Sequence, residues 1–475
     1  MQAEHKPLCN LDSGREIVRV QIIHLALAAW GLSSWILFNG LWGQLPMFVR
    51  TLPEGNKLGV LILTAEQLAY IFPLLFMYKK RHSSNSRLSQ EIDIWILLAS
   101  GLVVSLLLPR YWQAQVPIQG VPHSAGLLVL AFFTGAVCSS TGVVFTPYLA
   151  TLPKSYTSTH TAGAGLSGLA IALLTLVADA GSLHPRLSPG HYFNLLSLVL
   201  LVGMAAFGFV SRRVHASVQE EREEARDAEP AAGVEEAHGQ GQYGTLADRS
   251  LEETEERPDG DRRPLIAPGV DSGDPRDPPT DPSSLPSASP PPSSLPSVRD
   301  SHVAVFGLQC LLSALAYGVV PSTLPMACTG YQNPSRVLLL ANGGFMCADP
   351  LGKLATSFLP TGRIFMSGAA TICLAALLLY CAFSGSAPPL ALRPYGGVLV
   401  VVANTLFSFM FSFTSISIFF DRRRQEEAAR ARKAGRIGGD GGDAAYQWFA
   451  WSAFMVQTGA FLGTGLSLAG VLLWS

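Results

Sequence analysis

Aromatic rings and neutral amides, set at helical spacing inside apolar runs, are the groups of this 475-residue chain best suited to hold a ligand. Trp35, Asn39 and Trp42 stand at i, i+4 and i+7 of "GLSSWILFNGLWGQLP" (residues 31–46) and share one helix face. Glu66, Gln67 and Tyr70 fall about a turn apart in "AEQLAYIFP", and Thr146, Pro147 and Tyr148 in "CSSTGVVFTPYL" predict a break in a helix. Tyr317 precedes two prolines in "ALAYGVVPSTLP", and Gln457 lies in the last apolar run. Rings stack on a flat heteroaromatic ligand while amides bond its edge, so this set suits a neutral planar molecule better than a strongly charged one. For Trp35 and Asn39 a second reading stays open, in which they pack helix on helix. Asp349 and Lys353, at i and i+4, suit an ion pair in which each charge relieves the burial of the other, or one half of a proton-sensitive site.

Enzymatic signatures are missing. There is no G-x-x-x-x-G-K-[ST], G-x-S-x-G or H-E-x-x-H. "GAGLSG" at 163–168 opens an apolar run with no strand before it and reads as close helix packing through small residues. The seven cysteines lack paired metal-ligand spacing; Cys328 is expected in an outer loop, with Cys381 as a possible disulfide partner. No enzyme, metal, cofactor, nucleic-acid partner or ATP-driven step is expected.

Groups of this kind need a scaffold, and the composition names its solvent. At 49% hydrophobic and 14% charged residues, the chain is too apolar for an ordinary soluble protein. A hydrocarbon core about 30 Å thick takes roughly 20 helical residues, and eleven stretches qualify. Six lie near 20–43, 58–78, 92–109, 124–150, 163–183 and 192–211; five lie near 302–325, 337–359, 364–385, 395–420 and 445–473. The period-2 alternation of a barrel is absent. The expectation is an all-α polytopic membrane protein embedded in the lipid bilayer, with transmembrane helices in bundles of six and five.

Charge sets the expected orientation. Short loops holding Lys79, Lys80, Arg81, Arg87, Lys154, Arg212, Arg213, Arg363 and the cluster from Arg422 to Arg436 alternate with loops holding one or two basic residues each, such as Arg50, Lys57 and Arg110. The positive-inside rule then puts the N-terminus in the cytosol and, after eleven spans, the C-terminus outside. Between the bundles, residues 219–300 carry 20 of the 34 acidic residues and are rich in Pro and Ser, a composition that predicts disorder. The expected organisation is a cytosolic tail at 1–19, six spans over 20–211, an acidic cytosolic loop at 212–300 and five spans over 301–475. The loop serves either as a tether or as a docking segment for regulatory proteins.

With these residues in view, the chain resembles the eukaryotic riboflavin transporters. Their G-x-x-S-W-x-x-x-N-G-x-W-x-x-L-P…L-P-E-G pattern is matched by "GLSSWILFNGLWGQLP" and "TLPEG", and the likeness continues through "QLAYIFPLL", "CSSTGVVFTPYLATLP", "GAGLSGL", "ALAYGVVPS", "ADPL" and "VQTGAFLG" in the same order. The resemblance implies eleven spans of equilibrative nucleoside transporter or major facilitator type and uptake of riboflavin across the plasma membrane. Trp35, Asn39, Gln67 and Gln457 correspond to family-type positions, and Glu54 to the acid of the L-P-E-G loop. Tyr70, Tyr317 and Asp349 stand where the resemblance would put Asn, and Gln44, expected at the outer mouth, where it would put Glu. On the residues alone, a carrier for another flat heterocycle such as a nucleoside, or a non-transporting receptor signalling through the acidic loop, remains open.

Overall fold

The structure is a computed structural model that describes residues 9–82, 87–227, 298–385, 387–433 and 442–474. In the N-terminal half the helices are α1 (Cys9–Gly43), α2 (Leu45–Thr51), α3 (Leu58–Leu68), α4 (Ile71–His82), α5 (Arg87–Tyr111), α6 (Ala125–Leu149), α7 (Lys154–Ala178) and α8 (Pro189–Asp227). The C-terminal half has α9 (Val298–Ala314), α10 (Val320–Thr329), α11 (Pro334–Ala355), α12 (Ile364–Phe383), α13 (Val398–Lys433) and α14 (Gly442–Trp474). The helices of both halves pack into one unit.

Among the described residues, ten helical segments are long and apolar enough to cross a membrane. The eleventh expected span, α11, has the length but carries Asn342, Asp349 and Lys353. Asn342 donates to the Trp42 carbonyl, and Asp349 pairs with the half-exposed Lys353. Asn404, Ser408 and Ser412, each four residues apart on α13, bond the Ala341 carbonyl (2.9 Å), the Phe345 carbonyl (2.8 Å) and the Asp349 carboxylate (2.5 Å). The register advances equally on both helices, so α11 and α13 run parallel, as alternate spans of a threaded bundle must. A helix between other helices needs no lipid-facing apolar surface, which is why α11 tolerates this composition.

Small residues bring other parallel pairs close. A Cβ on Gly31 of α1 would stand 2.0 Å from the His160 carbonyl oxygen of α7, and one on Gly163 of α7 would stand 2.2 Å from that of Ala28. Gly459 and Gly463 of α14 lie as tightly on Cys310 and Ala314 of α9. "GAGLSG" therefore packs helices, as its composition suggested. Between α5 and α6 the chain forms a hairpin of β1 (Val116–Ile118) and β2 (Val121–His123), turned through Gln119 and Gly120. Both turn residues have positive φ, 53° and 84°, the geometry that matches strand twist in a two-residue turn. Glu54, from the L-P-E-G loop, accepts bonds from the Ser124 backbone N–H (2.6 Å) and hydroxyl (2.7 Å) and so ties that loop to the start of α6.

Several sequence expectations need correction. The second span is two helices, because Pro73 lacks an N–H and its ring opposes the carbonyl of Ala69, four residues back. No break occurs at Thr146–Tyr148: α6 runs through Pro147 to Leu149. Gln44 is buried at the α1–α2 joint, since the chain there turns into a new helix begun by Pro46. Cys328 is a buried free thiol within α10, and Cys381 is likewise free. α8 continues past residue 211 to Asp227. The rest of the acidic stretch, 228–297, lies outside the described residues.

Candidate functional site

Two interruptions of regular helix meet in the interior. One is the α3–α4 joint, where the Tyr70 N–H bonds the Gln67 carbonyl at 3.1 Å and that of Phe72 bonds Ala69 at 3.1 Å, short-range bonds that tighten the turn. The other is a π-helical turn at Leu315–Val319, closed by the Val320 N–H on the Leu315 carbonyl. Pro321 follows and removes the bond that would restore the α ladder. Tyr70 sits at the first and Tyr317 in the second.

These two tyrosines are neighbours, and residues from two further helices join them. The Tyr70 hydroxyl is within hydrogen-bonding reach of Gln457 of α14, and Tyr317 lies within electrostatic range of both Tyr70 and Asp349. Tyr317 keeps 42% of its surface exposed and meets Phe411 edge to face, with ring centroids 5.3 Å apart. Asp349 forms its expected ion pair with Lys353 at 2.7 Å and also accepts the Ser412 hydroxyl, so its carboxylate is held by two helices. Together these side chains offer aromatic faces, phenol hydroxyls, one amide and one fixed carboxylate, enough to stack a flat ligand and bond its edge.

α1 lies alongside. Trp35, Phe38 and Trp42 form a ladder of rings with centroid spacings of 5.6 and 6.5 Å, and Trp35 remains 37% exposed. The Asn39 amide donates to the Ser167 hydroxyl of α7 at 2.9 Å, and Gly168 next to it faces the Met346 carbonyl of α11. The Asn342 amide of α11 donates to the Trp42 carbonyl at 3.2 Å. Asn39 thus stands where helices of the two halves meet, with its N–H already engaged in helix packing. Gln67 is nearly buried in α3, one turn before the joint, and its carbonyl oxygen has no partner.

Thr146 and Tyr148 do not join this group as a pair. Two residues apart on an unbroken helix, they point to opposite sides. Thr146 is exposed, whereas Tyr148 is fully buried in a second core with Trp30, Phe145 and Phe207, its ring 5.7 Å from the Arg87 guanidinium. Phe411, Ser412 and the polar row on α13 were absent from the expected site. Their signal was the i, i+4, i+8 spacing of Asn404, Ser408 and Ser412. A second overlooked signal is a repeat: Leu-Ala-Tyr occurs at 68–70 and at 315–317, each shortly before a proline.

A bundle of membrane-length helices, with polar and aromatic groups from both halves gathered at two helix interruptions, is the build of a membrane carrier. The family model "Solute carrier family 52, riboflavin transporter" matches residues 19–432, and the chain belongs to that family. Its relatives include riboflavin transporter member 3-A of Danio rerio, 24% identical over 483 residues and covering 93% of this chain and 94% of the relative. Member 3 of Homo sapiens is 26% identical, covering 84% and 88%. Among solved structures, the nucleoside transporter NupG is a distant likeness, with a TM-score of 0.48 and 13% identity over 94% of this chain and 89% of that one.

Proposed function

We propose that this chain carries riboflavin into the cell across the plasma membrane, its N-terminus in the cytosol and its C-terminus outside. The observation that carries this reading is the meeting of Tyr70 with Tyr317 and Gln457, side chains from the two halves of a chain in this family. A ligand held between halves is released by rocking one half against the other, the usual motion of carriers with a site between repeats. The isoalloxazine ring stacks on the tyrosines and Phe411, its edge bonds Gln457, and Asn39 and Gln67 complete the polar lining. Contacts of about 1 kcal/mol each suit this cycle, since tighter ones would hold the ligand in place.

Uptake of labelled riboflavin by cells expressing the chain tests the proposal, with excess unlabelled riboflavin, lumiflavin or adenosine as competitor. Saturable uptake suppressed by both flavins and not by adenosine is the expected result. Suppression by adenosine alone would instead assign a nucleoside-like heterocycle.

A further inference from the structure

The two halves meet unevenly from one end of the bundle to the other. At the end that carries the β1–β2 hairpin, Gly181, in the link from α7 to α8, lies on the first turns of α11. A Cβ there would stand 2.8 Å from the Ser335 carbonyl oxygen, 3.1 Å from the Arg336 Cα and 3.2 Å from the Leu339 Cβ. Leu339, beneath it, is 4% exposed. At the same end Gly59 of α3 lies on α10, where a Cβ would be 3.2 Å from Pro325 Cγ and 3.4 Å from the Pro321 and Ser322 carbonyl oxygens. Toward the opposite end the contact thins. α3 packs on α10 and α14, but α4, which continues the same span, packs on α6. A Cβ on Gly168 of α7 would stand 3.2 Å from the Met346 carbonyl oxygen of α11, whereas one on Gly165, a turn further from Gly181, would meet nothing within 4 Å. Lys353, two turns beyond Met346, is half-exposed. The halves are therefore shut at the hairpin end, which the proposed orientation makes the outer one.

Both sides of the Gly181 contact are held in shape. α7 stops at Asp179, whose φ of 51° is left-handed, and the Asp179 carbonyl accepts the Ser182 N–H at 3.0 Å. The Arg186 N–H returns to the Ala178 carbonyl at 2.9 Å, and Arg50 of α2 bonds the Ser182 carbonyl. Opposite, Asn333, with φ 55°, turns the chain into α11, and Pro334 opens the helix. These bonds fix Gly181 within its own half, while the backbone it rests on belongs to the other. A side chain at Gly181 would meet a helix carbonyl, which no rotamer change can move aside. Parting the halves relieves that clash, and the rocking cycle already contains this motion. Gly31 and Gly163 differ, because the backbone they touch lies in their own half.

We propose that Gly181 is the gating residue of the outer end, the point at which outward closure is completed; this rests on the riboflavin reading and its orientation. With hydrogen alone at this position, the link seats on α11 and shuts the outer path, as in this structure. With a side chain there, the carrier stays open outward, binds its ligand and does not deliver it.

The test separates binding from delivery in intact cells expressing the full chain. Gly181→Trp should reach the surface and bind labelled riboflavin on ice within about twofold of wild type or above it, yet take it up about tenfold more slowly or worse. Gly181→Ala should fall between the two. Wild-type uptake by Gly181→Trp, or loss of binding together with uptake at normal surface level, would overturn the proposal. A second variant leaves Gly181 in place and decides the matter even where the tryptophan impairs folding. In Leu339→Cys the thiol lies under Gly181 and reaches water only when the gate lifts. A membrane-impermeant maleimide should label it above the wild-type background during uptake, and the adduct should then block uptake. No labelling in cells that take up riboflavin would overturn the gate. Labelling only after permeabilisation would overturn the orientation, and absence of wild-type uptake the riboflavin reading, so the failures are distinct.

Discussion

Tyr70 and Tyr317 arrive at one place by different backbones. Both follow Leu-Ala and precede a proline, but Pro73 comes three residues after its tyrosine and Pro321 four. In the N-terminal half the helix stops and restarts; in the C-terminal half it continues with one widened turn. The neighbours explain the difference. Ile71, after Tyr70, is exposed and needs no space, whereas Gly318, after Tyr317, lies on the α14 backbone, where a Cβ would be 2.5 Å from the Gly463 carbonyl carbon. One interruption is made by the proline alone, and the other is also clamped by a passing helix.

Substitutions test that contrast, beginning with the clamp. Gly318→Val forces backbone apart and should abolish uptake with little protein at the surface, whereas Ile71→Val should leave both within about twofold; surface biotinylation with uptake reads both. Next is the amide contact between halves. Tyr70→Phe loses the hydroxyl facing Gln457 and should raise the KM for riboflavin about fivefold, equivalent to ~1 kcal/mol, at unchanged surface expression. Asn39→Ala should cut uptake by well over half at normal expression, and undiminished uptake would assign Asn39 wholly to its bond with Ser167. Least of all should change on removing most of 225–295: transport by correctly localised protein should stay largely intact, and its loss would show that the acidic loop is more than a tether.

Much of the architecture was legible because a bilayer leaves few options. Apolar length identified eleven spans, ten of which are long and apolar enough among the described residues, and only α11 needed its neighbours to explain it. Within the site, Tyr70, Tyr317 and Gln457 were legible as polar groups that hydrocarbon would not tolerate singly. Tyr148 was misplaced because a proline was read as a break, although α6 runs unbroken through Pro147, in its last turn, and Tyr148 packs in a core with Trp30 and Phe207. The opposite directions of Thr146 and Tyr148 on one helix already argued against a shared site.

The hairpin between α5 and α6 offers an experimental handle. Its tip, Gln119–Gly120, is exposed, and a Cβ on Gly120 would touch nothing. A short epitope inserted there should leave the helices undisturbed. Antibody staining of intact cells would then read out which face of the membrane the tip occupies, and with it the direction in which every span runs.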